Sequence, residues 1–109
     1  MIPVAYHLFH VSPKRNDSSI AKEGVNPSYH IGGDASSWFV DKPMLNWALA
    51  HCSLRHKIAV SDLRVWVAVI PSDKLVRTRW GLVYRVNEVT LPAYLGQWDD
   101  TELEAWLRR

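Results

Sequence analysis

The chain has 109 residues and a mass of 12.5 kDa, which predicts one domain spanning residues 1–109 around a single hydrophobic core. Its formal charge of +2 is too small to indicate a nucleic-acid-binding protein by itself. The single cysteine, Cys52, excludes an internal disulfide and a cysteine-based zinc site, and it suits a reducing compartment. Neither an apolar leader nor a long apolar run is present, so we expect a cytoplasmic protein that does not associate with a membrane.

The first predicted element is a β-strand, Val4–Val11, whose side chains alternate between two faces. This period places His7 and His10 on opposite faces, so they cannot both serve one site. Neither face is purely polar, which favours a central position in the sheet. A short helix over Ile20–Glu23 follows and ends at Gly24. Its start can be capped by one of three polar residues: Asp17, Ser18 or Ser19.

The loop over residues 25–35 contains a proline and a pair of glycines, and it carries Tyr29 and His30 between them. A loop with an aromatic ring and an imidazole can cover a bound ligand. The alternative is that Tyr29 only holds the loop against the core. The sequence leaves both interpretations open.

A strand that leads directly into a helix is predicted near the middle of the chain. Trp38–Val40 has β-favouring composition, Asp41 can cap the next turn, and Pro43 suits the first turn of a helix. The following residues give the helix one apolar face at helical spacing, and we expect Trp47 and Trp66 to pack in the core. This predicted face consists of Met44, Leu45, Trp47, Ala48 and Cys52.

The segment over residues 53–64 carries the densest positive charge of the chain. It is either a solvated connector or a surface that faces phosphate groups through Arg55, Lys57 and Arg64. Two further strands are predicted at Val65–Ile70 and Leu82–Val86, and a helix at the end of the chain. We therefore expect an α+β fold with a small, mainly antiparallel split sheet and two or three helices. The spacing of the histidines matches no zinc motif, so we predict no metal site.

Several motifs in this order resemble the small ADP-ribosyltransferase-like fold. A strand ends in His10-Val11-Ser12, and a short helix closes in Lys22-Glu23-Gly24. An aromatic strand then runs into Asp41 and an alanine-containing helix, and an apolar strand and a Pro-x-Tyr segment at Pro92-Ala93-Tyr94 follow. The resemblance extends to about residue 95. It implies an ADP-ribosyltransferase-like α+β fold and NAD as substrate.

The resemblance also implies a set of site residues. His10 matches the histidine that holds NAD, with Ser12 beside it, and Trp38, Phe39 or Tyr29 matches the aromatic residue that stacks on nicotinamide. The family places a catalytic glutamate near residues 82–83, where this chain has apolar residues. The nearest carboxylate is Glu88. The implied catalytic pair is therefore His10 and Glu88.

Two functions follow from these observations. The first is NAD-dependent mono-ADP-ribosyl transfer to a macromolecular acceptor, as in a toxin-like enzyme. The second is a catalytically degenerate module that binds a nucleotide, a nucleic acid or a protein partner without turnover. His10 also has a structural interpretation, because a histidine on a central strand can serve only the core or its rim.

Overall fold

A computed structural model of the chain describes residues 4–26, 37–79, 81–87 and 90, and the backbone of residues 94–96. Two α-helices and six strands are found in these ranges, and the predicted α+β fold is confirmed. The elements in chain order are β1 Ala5–Pro13, α1 Asp17–Glu23, β2 Ser37–Val40, α2 Leu45–His56, β3 Leu63–Pro71, β4 Val76–Arg77, β5 Val83–Val86 and β6 Tyr94–Gly96.

The six strands form one sheet in the order β4-β5-β2-β1-β3-β6, and every neighbouring pair is antiparallel. β1 occupies the interior of the sheet, as predicted. It pairs with β3 over nine residues, from Ala5 opposite Pro71 to Pro13 opposite Leu63. Its other edge meets β2 at only one residue pair, Phe9 opposite Val40. The two halves of the sheet therefore join at a narrow junction beside residue 10.

Each face of the sheet buries its own apolar cluster. Phe9 and Val67 point to the face covered by α2, where they meet Leu49 of that helix. Leu8 points to the opposite face, where Ile20 of α1 packs. Because neighbouring residues of a strand point to opposite faces, His10 and Ser12 lie on the side of Leu8. We call this the α1 face.

The start of α2 follows the sequence prediction. The Asp41 side chain accepts a hydrogen bond of 2.7 Å from the backbone N–H of Lys42, and Pro43 lies in the short 3-10 turn before the helix. The helix ends at His56, and the next residue, Lys57, adopts the left-handed conformation with φ of 56°. Gly24 follows the last residue of α1, as predicted, and its N–H donates to the Ile20 carbonyl oxygen at 2.8 Å.

Two predictions about the helices are wrong. Trp47 does not pack in the core, since 45% of it is exposed, whereas Leu45, Leu49 and Cys52 are buried. A tryptophan near the edge of an apolar face can turn either way, because its ring exceeds the width of the buried stripe. The start of α1 also differs: the helix begins at Asp17, whose carboxylate pairs with a distant arginine instead of capping.

The second half of the chain agrees with the predicted strands. β3 includes the whole of the predicted strand Val65–Ile70, and β5 covers the predicted strand Leu82–Val86 except for its first residue. Within Val65–Ile70, only Val69 is substantially exposed, at 47%. The predicted terminal helix, Glu102–Arg109, lies outside the described residues. Neither described helix has the length and apolar character needed to cross a membrane.

Leu49 and Leu54 provide a matched test of this packing, because both lie on α2 but differ in exposure (4% and 80%). We expect Leu49→Ala to lower the free energy of unfolding by about 2–5 kcal/mol, since it leaves a cavity beneath the sheet. Leu54→Ala should change it by less than about 0.5 kcal/mol. Urea denaturation followed by circular dichroism measures both. Equal losses would contradict the assignment of the inner face.

Candidate functional site

Four of the predicted site residues are described, and three of them share the α1 face. His10, Ser12 and Phe39 lie on this side, where Phe39 is fully buried in the same cluster as Leu8. Trp38 points to the other face and packs at the edge of the cluster beneath α2. The sequence left the choice between Trp38 and Phe39 open, and of these two rings only that of Phe39 lies on the face that carries His10.

His10 is held at the narrow junction between β1 and β2. Its Nδ1 lies 2.8 Å from the backbone carbonyl oxygen of Trp38, and its ring centroid lies 5.3 Å from that of Phe39. Because a carbonyl oxygen only accepts hydrogen bonds, the proton must reside on Nδ1. In the neutral ring, Nε2 is then an acceptor. The sheet thereby fixes the orientation and the tautomer of the half-buried imidazole.

Ser12 lies two residues further along the same face and is buried, with 5% of its surface exposed. It stands opposite Arg64 in the register between β1 and β3. The Arg64 Nε donates to Asp17 Oδ2 at 2.8 Å, which brings the first turn of α1 to this side of the sheet. Polar side chains of β1, β3 and α1 thus lie next to one another on this side of the sheet.

Three buried polar atoms in this region have no hydrogen-bond partner among the residues that the structure describes. They are the Ser12 hydroxyl, Asp17 Oδ1 and the indole Nε1 of Trp66. An unpaired buried polar group costs on the order of 1–3 kcal/mol, so such groups are uncommon in native proteins. Trp66 stands opposite His10, and Asp17 reaches the face through Arg64. Together these atoms comprise one N–H donor, one hydroxyl and one carboxylate oxygen.

Sequence reasoning identified Ser12 but missed Asp17 and Trp66 as polar members of this face. Trp66 was assigned to packing, and it is indeed buried, with 3% exposed. The signal available in the sequence was an indole N–H within an otherwise apolar strand, because such a donor requires a partner. Asp17 gave no comparable signal, since its partner Arg64 lies 47 residues away.

Tyr29 and Glu88 lie outside the described residues. Near Glu88 in sequence, Thr90 forms two backbone hydrogen bonds with Val25, of 2.8 and 3.0 Å. Val25 is buried in the cluster on the α1 face. The chain therefore returns at Thr90 to the side of the sheet that carries His10. Val83, near the position where the resembled family has its glutamate, belongs to the cluster beneath α2 instead.

Among the three cations of the predicted phosphate-facing surface, Arg64 differs from Arg55 and Lys57 in its burial and its ion pair. The guanidinium of Arg64 is paired with Asp17 and is only 18% exposed, so its charge is compensated within the protein. Arg55 and Lys57 lie at the exposed end of α2, where Arg15 approaches from the segment after β1. A phosphate-facing surface would thus include Arg15 in place of Arg64.

No group of three or more His, Cys, Asp or Glu side chains suited to a metal ion is found within the described ranges. Cys52 is buried beneath the sheet, and its Sγ lies 3.9 Å from the Val11 carbonyl oxygen. Burial raises the pKa of the Cys52 thiol, although the charges of Arg55 and Arg15 act in the opposite direction. A thiol held in its protonated form is a poor nucleophile, which agrees with a packing role.

Searches among protein-family models, curated proteins and solved structures found no match to this chain. The support for a function therefore comes from the order of the sequence motifs and from the geometry of the α1 face.

The two histidine contacts predict opposite tautomers in one protein. His10 donates through Nδ1 to a carbonyl, whereas His56 Nδ1 lies 3.3 Å from the Arg15 guanidinium, which can only donate. In the neutral form of each ring, we expect the proton on Nδ1 for His10 and on Nε2 for His56. Long-range proton–nitrogen NMR distinguishes the two patterns. An Nε2–H pattern for His10 would contradict the Trp38 contact.

Proposed function

We propose that this protein binds NAD or a related nucleotide on the α1 face and is an ADP-ribosyltransferase-like protein. The observation that carries the proposal is the buried Ser12 hydroxyl, which has no partner among the described residues and lies two residues from a histidine held in one tautomer. This arrangement coincides with the His-x-Ser motif on which the sequence resemblance rests. The Phe39 ring is fully buried beside His10, so we assign it the role of positioning the imidazole from the core, and Tyr29 is the aromatic residue proposed to stack on nicotinamide.

The polar groups of the α1 face suit a neutral sugar or carboxamide ligand. In the neutral His10 ring, Nε2 can accept from a ribose hydroxyl, and the Ser12 hydroxyl can donate and accept. The Trp66 indole can donate to a carbonyl oxygen, and Asp17 Oδ1 can accept from a hydroxyl or an amide. A ligand that pairs these atoms would offset the cost of burying them.

The proposed reaction is transfer of ADP-ribose to a macromolecular acceptor. The bond between the nicotinamide nitrogen and the ribose carbon breaks, and nicotinamide leaves with the electron pair. A nucleophile of the acceptor then bonds to that carbon and loses its proton to solvent. Positive charge develops on the ribose during cleavage, and a carboxylate stabilises it. Glu88 is the residue proposed for this role.

The second candidate is a module that binds a macromolecule without turnover. The observation that favours it is the exposed cationic group where Arg15 meets the end of α2. In that case the site on the α1 face would hold a nucleotide or serve only the fold. Nicotinamide release separates the two candidates, because only the transferase produces it.

Ser12→Ala tests the ligand site apart from stability. We expect NAD affinity to fall about 3- to 10-fold, the equivalent of one hydrogen bond. The free energy of unfolding without ligand should stay constant or rise, because the substitution removes a buried hydroxyl that has no partner among the described residues. Isothermal titration and urea denaturation measure the two quantities. The matched control is Ser61→Ala at an exposed serine, which should change neither.

Loss of stability in Ser12→Ala with unchanged NAD affinity would show that the hydroxyl is structural. Absence of heat on titration of the unmodified protein with NAD, together with absence of nicotinamide release, would contradict the proposed function as a whole.

Glu88→Gln tests the transfer step. We expect loss of labelled ADP-ribose incorporation and of nicotinamide release, with NAD affinity changed by less than about 2-fold, because only the contact formed during cleavage is removed. Parallel loss of affinity and turnover would assign Glu88 a binding or structural role instead.

A further inference from the structure

The end of α2 and the segment after β1 form a surface rich in positive charge. Four exposed cationic residues contribute to it, and we call them the basic end. They come from two parts of the chain that meet where the Arg15 guanidinium contacts His56 Nδ1 at 3.3 Å, across 41 residues of sequence. The basic end consists of Lys14, Arg15, Arg55 and Lys57.

Three of the four cations of the basic end lack a compensating charge among the described residues. Lys14, Arg15 and Lys57 have no ion-pair partner in the part of the chain that the structure describes, whereas Arg64 is paired with Asp17. The Arg15 guanidinium donates to a neutral imidazole, which leaves its charge in place. Burial and the positive charges of Arg15 and Arg55 lower the pKa of His56, so this ring is not an additional cation at neutral pH.

An open groove of about 330 Å³ lies within this surface. Its walls combine two cations with apolar side chains and one carboxylate. The groove is lined by Pro13, Lys14, Arg15, Ile58 and Asp62. A polyanion with apolar parts could form ion pairs with the two cations and apolar contacts with Pro13 and Ile58. The carboxylate of Asp62 reduces the positive charge on its side of the groove.

An exposed aromatic stripe leads along α2 to the basic end. Trp47, His51 and Arg55 follow at spacings of four residues, so they lie in a row along one side of the helix. The rings of Trp47 and His51 stack, with centroids 5.1 Å apart and planes inclined by 14°. With 45% of its surface exposed, Trp47 offers a flat apolar surface to solvent. The row spans about 12 Å from Trp47 to Arg55.

We propose that this surface binds single-stranded nucleic acid, with phosphates at the basic end and a base stacked on Trp47. Cations along a groove combined with exposed aromatic rings are the two features that sequence-tolerant recognition of single strands requires. Duplexes keep their bases stacked inside, so they can use the cations but not the ring. The proposal is independent of the NAD site, because none of its residues lies on the α1 face.

Fluorescence anisotropy with labelled oligonucleotides of about 16 nucleotides over a salt series tests the proposal. We use oligo(dT), oligo(U) and a duplex of the same length as probes. Affinity for both single strands should fall as salt rises and should exceed affinity for the duplex. A preference between the two single strands identifies RNA or DNA as the natural ligand.

Two kinds of variant separate the phosphate contacts from the stacking contact. Arg15→Gln and Lys57→Gln should each reduce the slope of log affinity against log salt by about 0.7. Trp47→Ala should weaken binding about 5- to 100-fold without changing that slope, and Trp47→Phe should restore most of the loss. Lys42→Gln, at an exposed lysine before the start of α2, is the matched control and should leave binding unchanged.

Three results would overturn the proposal. The first is no binding at low salt, and the second is equal affinity for the duplex and the single strands with no effect of Trp47→Ala. The third is an equal effect of Lys42→Gln and Arg15→Gln, which would indicate attraction to net charge without a defined surface. All of these side chains are exposed, so circular dichroism should show unchanged folding in every variant.

Discussion

The alternation of side chains along β1 is the constraint on which both the packing and the candidate site depend. β1 has a strand on each edge, and its register with β3 extends over nine residues. Phe9 is therefore committed to the cluster beneath α2 and Leu8 to the cluster beneath α1. A slip of one residue would exchange the two faces along the whole strand. The register that buries the core thus also sends His10 and Ser12 to one side of the sheet.

The narrow junction between β1 and β2 determines how His10 is held on the α1 face. Since the strands pair there at one residue, a side chain can take part in joining them, and His10 does so through the Trp38 carbonyl. The surrounding side chains are apolar and buried, which strengthens hydrogen bonds and raises the cost of unpaired groups. The hydroxyl of Ser12 and the indole N–H of Trp66 lie in this setting. In such a region an unmatched polar group is costly, because it would be left without water.

The two sides of α2 serve different purposes. The inner side, with Leu49 and Cys52, attaches the helix to the sheet. Because the buried inner side already holds the helix against the sheet, Trp47 on the outer side can be exposed without leaving a gap in the core. The cations at the end of α2 also suit the negative end of the helix dipole. Arg15 adds to them from a different part of the chain, which concentrates a modest net charge on one surface.

Local pattern in the sequence determined the fold class, the interior position of β1 and the opposite faces of His7 and His10. It also determined the cap at Asp41 before α2 and the end of α1 at Gly24, because periodicity and capping act over a few residues. Other features depended on contacts between distant residues. Whether Trp38 or Phe39 joins His10 depends on how β2 meets β1, and the pairing of Asp17 with Arg64 spans 47 residues. Such contacts leave no local trace in the sequence, since strand register and helix docking arise only when the whole sheet assembles. Tertiary structure alone therefore decided which polar groups from different strands and helices share a face.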